Sequence, residues 1–316
     1  MTRTGGTWRH QRLDRPGGAF LRLSFWEPSS PSPSVAGNLL LLTGRSECVE
    51  KYTEIAGDMA ARGLRVSAMD WRGQGGSSRP LPNPHKGHID RFETYLDDLD
   101  AALPLLLAEK GTEPAFALAH SMGGHLLLRH VAERQHPFKA VMLSAPMLGI
   151  HTGAIPQAAA RWLASTMAQR GRGTDYAPGQ LDWTAPDPVF AGNPLTSDPV
   201  RFLAGHRCYA DTPDLALGGA TWGWLDAAFR SMAHLLAPGR LEQVSVPILL
   251  MSALADRIVR PDRHRQVAAR LPHCTFKTYP GARHELLMEA DPIRNQVLSD
   301  IDGFIAGHSN QSWQAA

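Results

Sequence analysis

The sequence predicts an α/β protein, a mostly parallel eight-stranded sheet with helices on both faces and an inserted helical cap. Three observations carry that expectation. Short Leu-rich or β-branched runs alternate with longer stretches of helical periodicity, the pattern of successive βαβ units. The strand signal lapses over residues 148–238 and then resumes. A pentapeptide of small residues around a serine, Ala119-His120-Ser121-Met122-Gly123, falls where a strand gives way to a helix.

Taken in order, runs at 8–13 and 20–26 flank Pro16-Gly17-Gly18 and read as a hairpin that starts the sheet antiparallel. Residues 29–33 break the chain. An apolar run at 38–42 ends at Gly44; a helix over 49–61 stops before Gly63, and a strand follows at 64–69, completing one crossover. A helix over 92–108 leads to a strand at 115–120, a helix at 122–134 and a sixth strand at 140–144. The 148–238 segment, rich in Pro and Gly, carries two apolar-faced helical stretches. Strands at 246–251 and 275–279, with helices over 261–271 and 292–305, finish the sheet, and 307–316 reads as a loose tail. The division is therefore a core of 1–147 and 239–316 with a cap of 148–238.

The chain of 316 residues suits one such core with an insertion. Its 32 Lys and Arg against 30 Asp and Glu leave no basic surface for phosphate backbones, which argues against a nucleic-acid partner. Cys48, Cys208 and Cys274 are odd in number and far apart in sequence, so neither a disulfide framework nor a zinc site is expected. The polar N-terminus lacks the apolar stretch of a signal peptide, and no apolar run approaches the roughly 18 residues of a spanning helix. The expectation is a cytoplasmic protein.

Small residues two before and two after Ser121 let strand and helix approach while the serine takes a strained conformation at the end of a strand, which is the requirement of a nucleophile elbow. A serine that merely caps a helix is the bland alternative; the flanking strand and the small neighbours favour the catalytic one. Serine needs a base to take its proton and an acid to orient that base. Asp256 follows the next-to-last strand and His284 the last, in the order Ser, acid, His; the rivals Asp198 and Asp211 follow no strand. A tetrahedral oxyanion needs preorganised donors, here the backbone amides of Met122 and of Arg45 in the turn after the third strand.

Together Gly44-Arg45-Ser46-Glu47 with Lys51-Tyr52, Asp70-x-Arg72-Gly73-x-Gly75-x-Ser77, His120-Ser121-Met122-Gly123-Gly124, Asp256-Arg257-Ile258-Val259 and Gly281-Ala282-Arg283-His284-Glu285 resemble the bacterial lysophospholipase and monoacylglycerol lipase family of α/β hydrolases. The resemblance runs over nearly the whole chain. It implies hydrolysis of single-chain lipid esters, no cofactor and no metal, and a helical cap after the sixth strand. Two positions depart from the family pattern: Thr43 stands where a His precedes the oxyanion Gly, and Ala119 replaces the first elbow Gly.

Within the cap, Trp222, Trp224, Phe229, Met232 and Leu236 repeat at helical spacing, as do Ile155, Ala159, Trp162, Leu163 and Met167. Trp162, Trp222, Trp224 and Phe229 are the candidates to line an acyl site, and the first helix is a candidate for transient contact with a membrane surface. The expected partner is thus a small lipid ester. A small-ester, thioester or peptide hydrolase with the same triad, and a catalytically silent binding protein on the same fold, are the alternatives; Ser121 excludes chemistry that needs an Asp nucleophile. His85 and His88 read as loop packing rather than metal ligands, and Asp70 and Arg72 as supports of the loop after the fourth strand.

Overall fold

Gly6–Asp14 (β1) and Phe20–Pro28 (β2) pair antiparallel through a turn at Pro16–Gly18, where Gly17 and Gly18 both take φ of 76°. The computed structural model describes residues 5–30, 35–108, 111, 113–185 and 187–309. Part of the break expected at 29–33, and most of the tail expected at 307–316, lie outside the described residues; the last helix itself runs on to His308.

Six further strands follow: Gly37–Leu42 (β3), Leu64–Met69 (β4), Ala115–His120 (β5), Phe138–Ser144 (β6), Ile248–Ala253 (β7) and Cys274–Tyr279 (β8). The sheet order is β1-β2-β4-β3-β5-β6-β7-β8, with β2 antiparallel to β4 and every later pairing parallel. Residues of β3, β5 and β7 are buried throughout, as strands covered on both faces must be. Alternation then sends successive side chains to opposite layers. Leu40 and Leu42 join one core with Ala117, Leu143 and Leu250, against the helices Glu93–Leu106 (α2) and Ser121–Glu133 (α3); Leu39 and Leu41 join another with Leu118, Met142 and Met251, against Thr53–Ala61 (α1). Pro261–Ala268 (α7) adds Val267 to the first layer, and Asp291–His308 (α8) adds Ile301 and Phe304 to the second.

Between β6 and β7 the chain leaves the sheet for three α-helices rather than the two expected: Gln157–Met167 (α4), Pro199–Asp211 (α5) and Trp222–Leu235 (α6). α5 buries only Phe202, so its sequence shows no apolar stripe to announce it. Asp198, the rival acid, is its N-cap, accepting from the amides of Val200 and Arg201. Among the described residues no helix is long and apolar enough to cross a membrane.

Candidate active site

The ends of β3, β5, β7 and β8 and the inserted helices enclose one cavity of about 730 Å³. Ser121 sits on its wall at the first position of α3 with φ of 50°, a left-handed conformation that a non-glycine residue holds only when its surroundings enforce it. Those surroundings are visible. A Cβ on Gly123 would lie 2.5 Å from the Thr43 carbonyl oxygen and 2.8 Å from that of Leu42, so α3 meets β3 too closely for any larger residue. Gly124 faces Pro146 with a virtual Cβ at 3.0 Å, and Ala119 is buried beneath the turn.

The loops after β7 and β8 bring the other two residues to the serine. His284 Nε2 is 2.9 Å from Ser121 Oγ, and His284 Nδ1 is 2.6 Å from Asp256 Oδ2. Asp256 Oδ1 accepts from the amides of Ile258 at 2.8 Å and Val259 at 3.0 Å, which fixes the carboxylate plane. Burial opposes ionisation of Asp256, but the bond and charge of His284 and those two amides outweigh it, so its pKa lies below the ordinary carboxylate value. The hydrogen-bonding order Asp256, His284, Ser121 is that of a serine hydrolase triad.

Next to the serine, Met122 lies in the first turn of α3, where amides have no intrahelical acceptor. Across from it the turn Thr43-Gly44-Arg45-Ser46 is held from behind. Trp71 Nε1 donates to the Thr43 carbonyl at 2.9 Å, and Gln74 Nε2 to the Gly44 carbonyl at 2.7 Å, so Thr43 needs no side-chain bond to keep the loop in place. The Gly44 amide donates to Glu47 Oε2 at 2.5 Å.

Glu47 was not singled out as a site residue from the sequence, yet it anchors a buried network. It accepts from Tyr52 Oη at 2.6 Å and from Lys51 Nζ at 2.7 Å, and Lys51 also donates to Glu285 at 2.5 Å. Lys51 thereby ties the turn after β3 to the residue after His284. Burial works against the Glu47 charge, but the Lys51 ammonium, with His120 and the Tyr52 hydroxyl, holds its carboxyl well below the ordinary carboxylate range. His120 packs its ring 4.6 Å from that of His284 and donates Nδ1–H to the Ser144 carbonyl at 3.1 Å; burial pushes it down to about 4, so it is a neutral neighbour for the His284 ring.

The cap candidates divide. Trp222, Trp224 and Phe229 line the cavity, together with Leu163 of the other apolar helical face, Val259 of the Asp256 loop, and Ile150 and Met147, which the sequence did not distinguish. Trp162 does not: it points outward from α4 with 68% of its surface exposed, beside a separate groove. The segment before α5 reaches the histidine loop, where the amides of His284 and Glu285 donate to the carbonyls of Pro194 and Leu195. Asp70 supports its loop as expected, accepting from Arg22 at 2.6 Å and from the amides of Val49 and Gly76, and Arg72 forks onto Asp98. His88 bonds Thr221 and Asp90, and His85 stacks on Trp183. The free thiols of Cys48 and Cys208, 160 residues apart in sequence, lie 3.8 Å apart where α5 meets the loop before α1.

Residues 33–291 match the Hydrolase_4 family, described as serine aminopeptidase, S33. The chain belongs to this family. By sequence it is 33% identical over 87% of its length to lysophospholipase L2 of Escherichia coli strain K12, covering 82% of that protein. It is 25% identical over 92% of its length to the monoacylglycerol lipase of Mycolicibacterium smegmatis, covering 95% of that protein. In structure it resembles a soluble variant of monoglyceride lipase from Saccharomyces cerevisiae in complex with a substrate analog, with a TM-score of 0.79 over 98% of this chain and 99% of that one at 20% identity. A carboxyl esterase from Bacillus coagulans follows at 0.76, 20% identity, over 96% of this chain and 99% of that one. The fold of this Hydrolase_4 member is thus the α/β-hydrolase fold, and the chain is a serine hydrolase.

Proposed function

We propose that the chain hydrolyses carboxylic esters of single-chain lipids, lysophospholipids or monoacylglycerols, through an acyl-enzyme on Ser121. The observation that carries this reading is the hydrogen-bonded chain Asp256, His284, Ser121 opening into a cavity walled by Trp222, Trp224, Phe229 and Leu163. Its volume falls in the range of sites that take whole small molecules. His284 Nε2 accepts the Ser121 hydroxyl proton as Oγ attacks the ester carbonyl. The oxyanion is held by the amides of Met122 and Arg45, each worth about 3 to 4 kcal/mol if lost. The imidazolium, stabilised by the Asp256 carboxylate, then protonates the leaving glycerol oxygen. Water repeats the sequence on the acyl-enzyme and regenerates the serine.

In this reading residues 148–238 are a cap that buries the acyl chain, and the outward face of α4, with Trp162 and Arg161, meets the lipid surface from which substrate comes. The family's description as aminopeptidase fits the cavity less well. A substrate α-ammonium needs a free carboxylate, and the acidic residues lining the cavity, Glu47 and Glu285, both belong to Lys51. The test is hydrolysis of a defined lysophospholipid and a monoacylglycerol by purified protein, with Ser121→Ala as control. Release of fatty acid by the native chain and none by the variant supports the reading; fatty acid release that survives in the variant rejects it.

A further inference from the structure

Three of the four cations that line the cavity have an ordinary explanation. Lys51 lies between Glu47 and Glu285, Arg201 is paired with Glu54, Asp198 and Asp291, and Arg257 is exposed to solvent at the edge. Arg45 is different. Its half-buried side chain lies between the turn after β3 and the loop before α6, with Cζ 4.9 Å from the Trp224 ring centre. Nη1 donates to Ser46 Oγ at 3.0 Å and Nη2 to the Gly218 carbonyl at 3.2 Å, whereas Nε is buried without a partner. Its electrostatic neighbours are the hydroxyls of Tyr95 and Tyr176, both neutral near pH 7. Burial lowers its pKa only to about 10, so the group stays charged. Gly87 makes the room: a Cβ there would lie 2.3 Å from Arg45 Nη2.

A guanidinium partly withdrawn from water, with no carboxylate in an ion pair with it among the described residues, carries a desolvation cost that two neutral acceptors and a ring face offset only in part. It belongs to the residue whose backbone amide is assigned to the oxyanion, and Arg45 and Ser121 line the same cavity. We propose that the Arg45 guanidinium is an anion subsite of this cavity that takes the phosphodiester of a lysophospholipid head group and selects it over the neutral head of a monoacylglycerol. The assignment rests on the lipid-esterase reading and narrows its substrate class. A planar fork with unused N–H donors suits a phosphate's paired oxygens better than a point charge does.

The test compares kcat/KM for decanoyl lysophosphatidylglycerol and 1-decanoylglycerol, both below their micelle concentrations, in the native chain and in Arg45→Gln, Arg45→Lys and Arg257→Gln. A charge-assisted bond of ordinary strength predicts that Arg45→Gln lowers the phospholipid-to-neutral ratio about 10- to 100-fold, chiefly through KM, with Arg45→Lys falling in between. Damage to the oxyanion turn or to the cap contact lowers both substrates and cancels in the ratio. Competitive inhibition by sn-glycero-3-phosphate should weaken in Arg45→Gln in parallel. A ratio within twofold of native in Arg45→Gln overturns the subsite, as does an equal drop in Arg257→Gln, which would mean general attraction of anions to the cavity edge. Inhibition by inorganic phosphate that is lost in Arg45→Gln, with the lipid ratio unmoved, also overturns it, assigning the group to free phosphate. A native chain that hydrolyses neither lipid defeats the lipid-esterase reading itself.

Discussion

Replacing Asp256 by Asn changes one atom at the site, and the structure dictates which way the amide must point. Asp256 Oδ1 accepts from two backbone amides, Ile258 and Val259. Only the carbonyl oxygen of an asparagine can take that place, because its NH₂ would face two donors. The NH₂ is then aimed at His284 Nδ1, 2.6 Å away in the native chain, and the ring must offer a lone pair there. The proton moves to Nε2, which faces Ser121 Oγ at 2.9 Å, so the imidazole can no longer accept the serine proton. A tautomer error of this kind costs up to about 10⁴ in kcat in a serine protease, or about 5 kcal/mol of transition-state stabilisation. The assay is kcat for p-nitrophenyl decanoate alongside the rate of fluorophosphonate labelling, which should fall together while the thermal melt stays near native. A loss below tenfold, or a severe loss in Asp198→Asn instead, refutes the reasoning.

Gly123→Ala should destabilise the fold and inactivate the enzyme together, because its Cβ would press on the Thr43 carbonyl at 2.5 Å; a melt within a degree of native with full activity contradicts the close approach of α3 and β3. Stability should fall as pH drops from about 6.5 to about 4. Burial depresses His120 and His264 to about 4 and His125 to about 3, so the unfolded chain binds protons that the native chain refuses, at about 1 kcal/mol per pH unit for each histidine. Urea midpoints from pH 8 to 4.5 measure it, and a flat profile removes the assignment. Esters of two to sixteen carbons should show a steep rise of kcat/KM with length, roughly two orders of magnitude for four methylenes at about 0.8 kcal/mol each, and Trp222→Ala should flatten it while acetate turnover survives. A native profile that peaks at acetate promotes a small-ester substrate.

The sheet and the three residues proposed as the triad were legible because each rests on local signals. Ser121 lies between a strand and a helix with Ala119 and Gly123 around it, and Asp256 and His284 each follow a strand by a few residues, the buried β7 and the edge strand β8. What escaped depends on contacts that sequence spacing does not encode. Lys51 meets Glu285 across 234 residues, and Cys48 meets Cys208 across 160. α5 is held at its start by Arg201, which reaches Glu54 and Asp291, rather than by an apolar stripe, so periodicity passed over it. In α4 the apolar residues form a broad arc whose edges face different ways. Leu163 turns to the cavity while Trp162, one residue earlier and about 100° round the helix, turns outward, and only the packing partner decides between them.

The central claim is that a lipid acyl group passes through Ser121, and acid quenching of the native chain during turnover of 1-decanoylglycerol or its lysophospholipid counterpart tests it most directly. Peptide mass mapping should find the decanoyl group on the peptide that carries Ser121, and none on the same peptide from Ser121→Ala. Turnover of either lipid with the acyl group on another residue, or with no acylated peptide under conditions that capture a p-nitrophenyl ester intermediate, would contradict the account.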